Sequence, residues 1–127
     1  MGEKIQVVAQ YDDLWEEYAT FMTGLFLIGE VEVYSVQDLV DKVKAKLGNG
    51  GKIDRLEIFA HGSDTLISIG DKDVLHDWRP KVHMPTLARL KPNFDSGGSV
   101  ILYSCEAGKC TNVLSDLAKT LDVNVLW

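Results

Sequence analysis

Apolar residues fall into two kinds of run along this chain. Short apolar blocks bounded by polar residues or glycine occur at Ile5–Ala9, Ile53–Ala60 and Ser99–Ser104 and read as buried strands. Val31 and Val33 alternate with Glu30 and Glu32, so Val31–Tyr34 reads as a half-exposed strand, and Val123–Trp127 reads as a last one. Between these blocks the apolar period lengthens to that of a helix. Leu14, Tyr18, Phe21 and Leu25 predict a helix from about Leu14 to Leu27, capped by Asp12 or Asp13 and ended by Gly29. Val36, Leu39, Val40, Val43 and Leu47 predict a second. Ser35-Val36-Gln37-Asp38 precedes it as a capping box with Asp in the usual Glu place, and Gly48 follows at its C-cap. Val113, Leu114, Leu117, Ala118 and Leu121 predict a third behind an N-cap at Thr111.

The remaining segments carry turn signals. Leu66, Ile67 and Ile69, then Gly70-Asp71, then Val74 and Leu75 predict a small hairpin. Residues 76–83 have no period. Pro85 suits the first turn of a short helix over about Thr86–Lys91, stopped at Pro92, and Gly97-Gly98 leads into the strand at Ser99. This alternation of strand and helix predicts an α/β fold of three layers: a mostly parallel sheet with helices on both faces and a small β-hairpin, in a single domain over residues 1–127.

Composition narrows the function. With 46% hydrophobic and 25% charged residues the 127-residue chain has a globular balance, and it is long enough for one core without disulfides. Thirteen basic against nineteen acidic residues give a net charge of −6, which argues against binding nucleic acid or an anionic membrane surface. Met1-Gly2-Glu3-Lys4 does not read as the start of a secretory signal, and the most apolar stretch, Phe21–Ile28, interrupted by Thr23 and Gly24, is far short of a bilayer span. A cytoplasmic protein, or one exported by a signal-less route, is expected. Cys105 and Cys110 are too few for a disulfide framework or a four-ligand zinc site, so no metal and no cofactor are expected.

Two reactive side chains follow strands directly. His61 comes after Ile53–Ala60, and Cys105 after Ser99–Ser104. In a parallel sheet, chemistry sits beyond the carboxyl ends of the strands. If these two strands are neighbours, imidazole and thiol emerge at one rim. A thiol with a pKa of ~8.5 is mostly protonated at neutral pH; a nearby imidazole takes its proton or stabilises the nucleophilic thiolate. A helix starting near Thr111 would aim its positive end at the Cys105 loop, and the Gly62 N–H is unobstructed for an oxyanion.

Leu56-Glu57-Ile58-Phe59-Ala60-His61-Gly62-Ser63 and Val100-Ile101-Leu102-Tyr103-Ser104-Cys105 resemble the His-Gly and Cys motifs of caspase-like (clan CD) cysteine peptidases. The hairpin after His-Gly and the Cys-loop-helix ending resemble most the compact bacterial caspase-like domains related to the CHAT group and the self-processing cysteine protease domains of toxins. The resemblance follows element order over nearly the whole chain, although the chain is much shorter than a caspase. It implies His61 as general base, Cys105 as nucleophile, and the N–H groups of Gly62 and Cys105 as oxyanion hole. The implied reaction is hydrolysis of a peptide bond in a peptide or protein substrate, which includes self-processing. The alternative is a non-catalytic module of the same fold, acting by contact within a parent toxin or a signalling assembly. An esterase of α/β-hydrolase type lacks its GxSxG elbow.

Other residues have two readings each. Asp64 either orients the imidazole or serves the turn after Gly62-Ser63. Cys110 either pairs with Cys105 for redox control or is an ordinary residue at a helix start. His76 and His83, with Asp73 and Asp77, are either metal ligands or parts of a surface loop. Glu106 is expected to face solvent or a substrate cation. Trp15, Trp78 and Trp127 are expected to pack.

Overall fold

A computed structural model describes residues 2–9, 30–70, 73–104 and 106–127. Its main sheet has five strands, all parallel, in the order β2-β1-β3-β7-β8. These are β1 (Glu3–Ala9), β2 (Glu30–Val33), β3 (Ile53–Phe59), β7 (Phe94–Tyr103) and β8 (Asn124–Leu126). The order reverses between β1 and β3, because the chain runs outward from β1 to β2 and then returns past β1 to β3. A second sheet of three short antiparallel strands, β4 (His61–Gly62), β5 (Leu66–Ser68) and β6 (Val74–His76), is inserted after β3.

The described helices are α1 (Val36–Leu47), α2 (Met84–Leu87), which continues as a 3-10 helix over Ala88–Asn93, and α3 (Thr111–Leu121). Their buried residues join one core with Ile5, Val7 and Ala9 of β1, Leu56 and Ile58 of β3, and Val100 and Leu102 of β7. Alternation sends Gln6, Val8, Glu57 and Phe59 to the other face, where they are buried as well. The architecture is therefore the expected α/β one, with a mostly parallel sheet flanked by helices and a small hairpin sheet. The helix expected over 14–27 and the Trp15 reading lie outside the described residues. Among the described residues no helix is long and apolar enough to cross a membrane.

Helix ends explain most departures from the pattern-based reading. Ser35 caps α1, its Oγ accepting from the Asp38 N–H at 2.9 Å, but the Asp38 carboxylate returns to the N–H of Tyr34 (3.0 Å) instead of closing the box on Ser35. Gly48 ends α1 at φ 68°, as expected. Thr111 is not the cap of α3: it is the first helical residue, and the Asp77 carboxylate accepts from the N–H groups of Asn112 (2.8 Å) and Val113 (3.1 Å). Pro92 does not stop the short helix at Lys91. It sits near the end of a 3-10 segment, where one missing N–H removes only one bond. Gly97-Gly98 lies inside β7, which begins at Phe94. The register with β3 jumps from Ile53↔Phe94 to Arg55↔Ser99, so the intervening β7 residues bulge and Gly97 takes φ 80°.

The small sheet crosses the carboxyl rim of the large one. At one end Gly70 (φ 111°) lies against the Tyr34 carbonyl so closely that a Cβ would collide with it, and the Asp73 carboxylate accepts from the Val36 N–H at 2.7 Å. At the other end Asp77 holds α3, and the buried Cys110 Sγ donates to the Ser63 carbonyl at 3.5 Å. Ile67, Ile69 and Leu75 anchor the strap in the core.

Replacing Asp77 with Ala is expected to lower stability by about 1–2 kcal/mol through loss of the α3 cap. The check is a fall in the urea midpoint with an unchanged m-value. Thr111→Ala, at the position that the sequence pattern favours as the cap, should change it by about 0.5 kcal/mol or less.

Candidate active site at the carboxyl rim

His61 and Cys105 were expected to follow neighbouring parallel strands, and β3 and β7 are such neighbours, with Phe59 paired to Tyr103. The two rings stack with centroids 4.6 Å apart and planes 10° from parallel. Above them the Ala60 N–H donates to the Tyr103 carbonyl at 3.1 Å, so the two strands leave the sheet together. Each reactive residue comes two positions after a member of the Phe59–Tyr103 pair. Cys105 itself lies outside the described residues, while Ser104 before it and Glu106 after it are described.

His61 is exposed. It belongs to β4 and pairs with Ser68, while Gly62 pairs with Ile67. The Ser63 N–H donates to the Leu66 carbonyl at 3.0 Å, which makes 63/66 a hydrogen-bonded pair. Bonded and non-bonded pairs alternate in an antiparallel ladder, so the Gly62 N–H is directed away from β5.

The rim's electrostatics differ from expectation in one respect. The positive end of α3 does not face the 105 loop unopposed, because the Asp77 carboxylate occupies its first N–H groups. Cys110, at the N-cap of α3, shows the consequence. Burial pushes its thiol pKa up, and the negative charges of Asp77, Asp64 and Glu106 push the same way. A helix N-terminus normally favours thiolate; here burial, with the acids around it, acts the other way. Cys110 is thus a buried neutral thiol, and its pairing with Cys105 lies outside the described residues.

Glu106, in the left-handed region at φ 56°, faces solvent as expected and binds Lys109 at 3.1 Å. That hydrogen bond and its charge raise the Lys109 pKa, with Asp64 adding at longer range. Asp64 is exposed at the turn after β4. Asp73 and Asp77 are both committed to helix N-termini, and no group of three metal-ligating side chains exists among the described residues. Trp78 and Trp127 do not pack inside: they are 67% and 68% exposed. The Trp127 indole instead lies over Gly108, where a Cβ would strike it.

A family model described as a domain of unknown function (DUF4347) matches residues 6–126. The chain belongs to the DUF4347 family. No curated protein and no solved structure matches it.

This DUF4347 domain also holds a polar cluster that the motif reading passed over. Glu57, only 3% exposed, accepts from Gln6 Nε2 (2.9 Å) and from the Tyr103 hydroxyl (3.3 Å), and pairs with Arg55 Nε (3.0 Å) and Lys4 Nζ (3.5 Å). It lies two positions before Phe59 on the same face of β3. The cluster ties β1, β3 and β7 together beneath the rim. Its signal in the sequence was a polar residue inside two apolar strand runs, Gln6 and Glu57, which the register places opposite each other.

The Cys110 assignment has a pH signature. Because its folded-state pKa is raised, the stability tied to the neutral thiol is complete below the unfolded value of ~8.5 and is lost as pH climbs through the folded value. In a Cys105→Ala background, melting temperature should therefore fall more steeply between about pH 8 and 10 than in the Cys105→Ala/Cys110→Ala protein. Cys110 should also resist a thiol reagent at pH 7.5 until denaturant is added.

Proposed function

We propose that this DUF4347 domain is a caspase-like cysteine peptidase that cleaves a peptide bond, in its own parent chain or in a protein substrate, with a Cys105–His61 dyad. The observation that carries this reading is the parallel, in-register pairing of β3 with β7. It brings the residues preceding His61 and Cys105 to the same rim, next to the reversal of strand order where α/β sheets hold their ligands.

The chemistry assigns each group one task. The thiol proton of Cys105 passes to the His61 imidazole, and the thiolate adds to the substrate carbonyl carbon. The Gly62 and Cys105 N–H groups stabilise the resulting oxyanion. The imidazolium then protonates the leaving amine as the C–N bond breaks, leaving a thioester. Water, deprotonated by His61, cleaves the thioester and restores the thiol. Asp64, in the turn after β4, adds negative charge on the His61 side of the rim. The Phe59–Tyr103 stack and the Glu57 cluster beneath the rim hold the two strands in register.

A panel of peptidyl acyloxymethyl ketones differing in P1 tests the reading. The intact protein should be labelled by at least one of them. Cys105→Ala should abolish labelling, His61→Ala should slow it by about 10²-fold or more, and Cys110→Ala should leave it unchanged. Equal labelling of the Cys105→Ala protein, or none of the wild type, would remove the peptidase and leave the non-catalytic interaction module.

A further inference from the structure

The strap carries a concavity away from His61. Val74, His76, Arg79, Val82 and His83 line a cavity of about 190 Å³, open on one side. Pairing across the small sheet puts His61, Ser68 and Val74 in one row and Leu66 and His76 in the next. All of these belong to the face opposite Ile67 and Leu75, which point into the core. The cavity therefore opens on the same face of the strap as His61, two strands away, at roughly 10 Å by the usual strand spacing.

Its lining is cationic in a chain of net charge −6. A tight turn, with the Arg79 N–H donating to the His76 carbonyl at 3.1 Å, brings both residues to the cavity, and His83 supplies a second imidazole. The two nearest acids in sequence, Asp73 and Asp77, do not neutralise it: their carboxylates are turned away to cap α1 and α3. Lys81, in the same turn, takes Asp116. Among the described residues no carboxylate lies within ion-pairing distance of Arg79. The exposed Trp78 ring contacts both His76 (centroids 5.1 Å apart) and Arg79 (5.4 Å from Cζ to the centroid), and Val82 beside them is 54% exposed.

These features select a ligand class. A cation is disfavoured by the guanidinium, and two imidazoles without a third protein ligand make a poor metal site. A guanidinium fork with flanking imidazole N–H groups matches the planar or tetrahedral oxygens of a carboxylate or phosphate. The volume is below that of drug-sized pockets and suits a small molecule. We propose that this cleft binds a small-molecule oxyanion, a carboxylate or phosphate, with its apolar remainder against Val82 and Trp78. The site is distinct from the dyad and stands whether or not the dyad is active.

The test is an NMR titration of the intact protein, following the imidazole resonances of His76, His83 and His61. Inorganic phosphate and benzoate are added in separate arms at constant ionic strength set with chloride. Saturable shifts at His76 and His83, and not at His61, support the site, and the arm that saturates at lower concentration tells phosphate from carboxylate. Arg79→Gln, folded by circular dichroism, should weaken binding about tenfold or more, as loss of one charge-assisted contact implies. Non-saturable shifts in both arms, equal shifts at His61, or unchanged binding by Arg79→Gln would overturn the proposal.

Discussion

The rim depends on the parallel pairing of β3 with β7. Parallel ladders are slightly weaker per residue than antiparallel ones, and this one is reinforced from both sides. On the helix-covered face Leu56, Ile58, Val100 and Leu102 pack into the main core. On the other face Phe59 stacks on Tyr103, and Glu57 gathers a hydroxyl, an amide and two cations. A one-residue slip between these strands would invert every side chain of one of them, exposing apolar groups and burying Glu57 without its partners. The register is thus over-determined, and with it the departure of both chain segments at one edge.

Above that register lies the strap of β4, β5 and β6, whose two ends are fixed by unlike means. One end is fitted sterically, with Gly70 against the Tyr34 carbonyl, and electrostatically, with Asp73 on the N-terminus of α1. The other is held by Asp77 on the N-terminus of α3. Each aspartate satisfies backbone donors that would otherwise be orphaned at a helix start, and each does so from a distant part of the chain. The same two interactions withdraw negative charge from the outer side of the strap, where His76, Arg79 and His83 meet. A structural solution for capping therefore sets the sign of a surface cleft.

Burial, with acids beside it, governs the thiol that the structure describes. A cysteine at the start of α3 would ordinarily feel a field that favours thiolate. Burial opposes it first, and Asp77, Asp64 and Glu106 add to the opposition. Cys110 is consequently inert by position, which separates its role from the one that the peptidase reading gives Cys105.

Much of the main sheet was legible in the sequence because each strand and helix buries one face, and burial imposes a period. The runs at Ile5–Ala9, Ile53–Ala60 and Ser99–Ser104, and the spacing in α1 and α3, are such imprints. His61-Gly62 was legible as a motif for the same reason, since it ends an apolar run. Contacts between distant segments leave no period. That Asp77 and not Thr111 caps α3, that Asp73 serves α1 instead of a metal, that Gly97-Gly98 forms a bulge within β7, and that Trp78 stays outside beside His76 and Arg79 all follow from three-dimensional proximity of polar groups. A carboxylate has the same appearance in sequence whether it binds a neighbour or a helix thirty-five residues away. The sequence alone determined the layered α/β class and where the apolar runs end; only the tertiary structure decided which charges cancel there and which remain exposed.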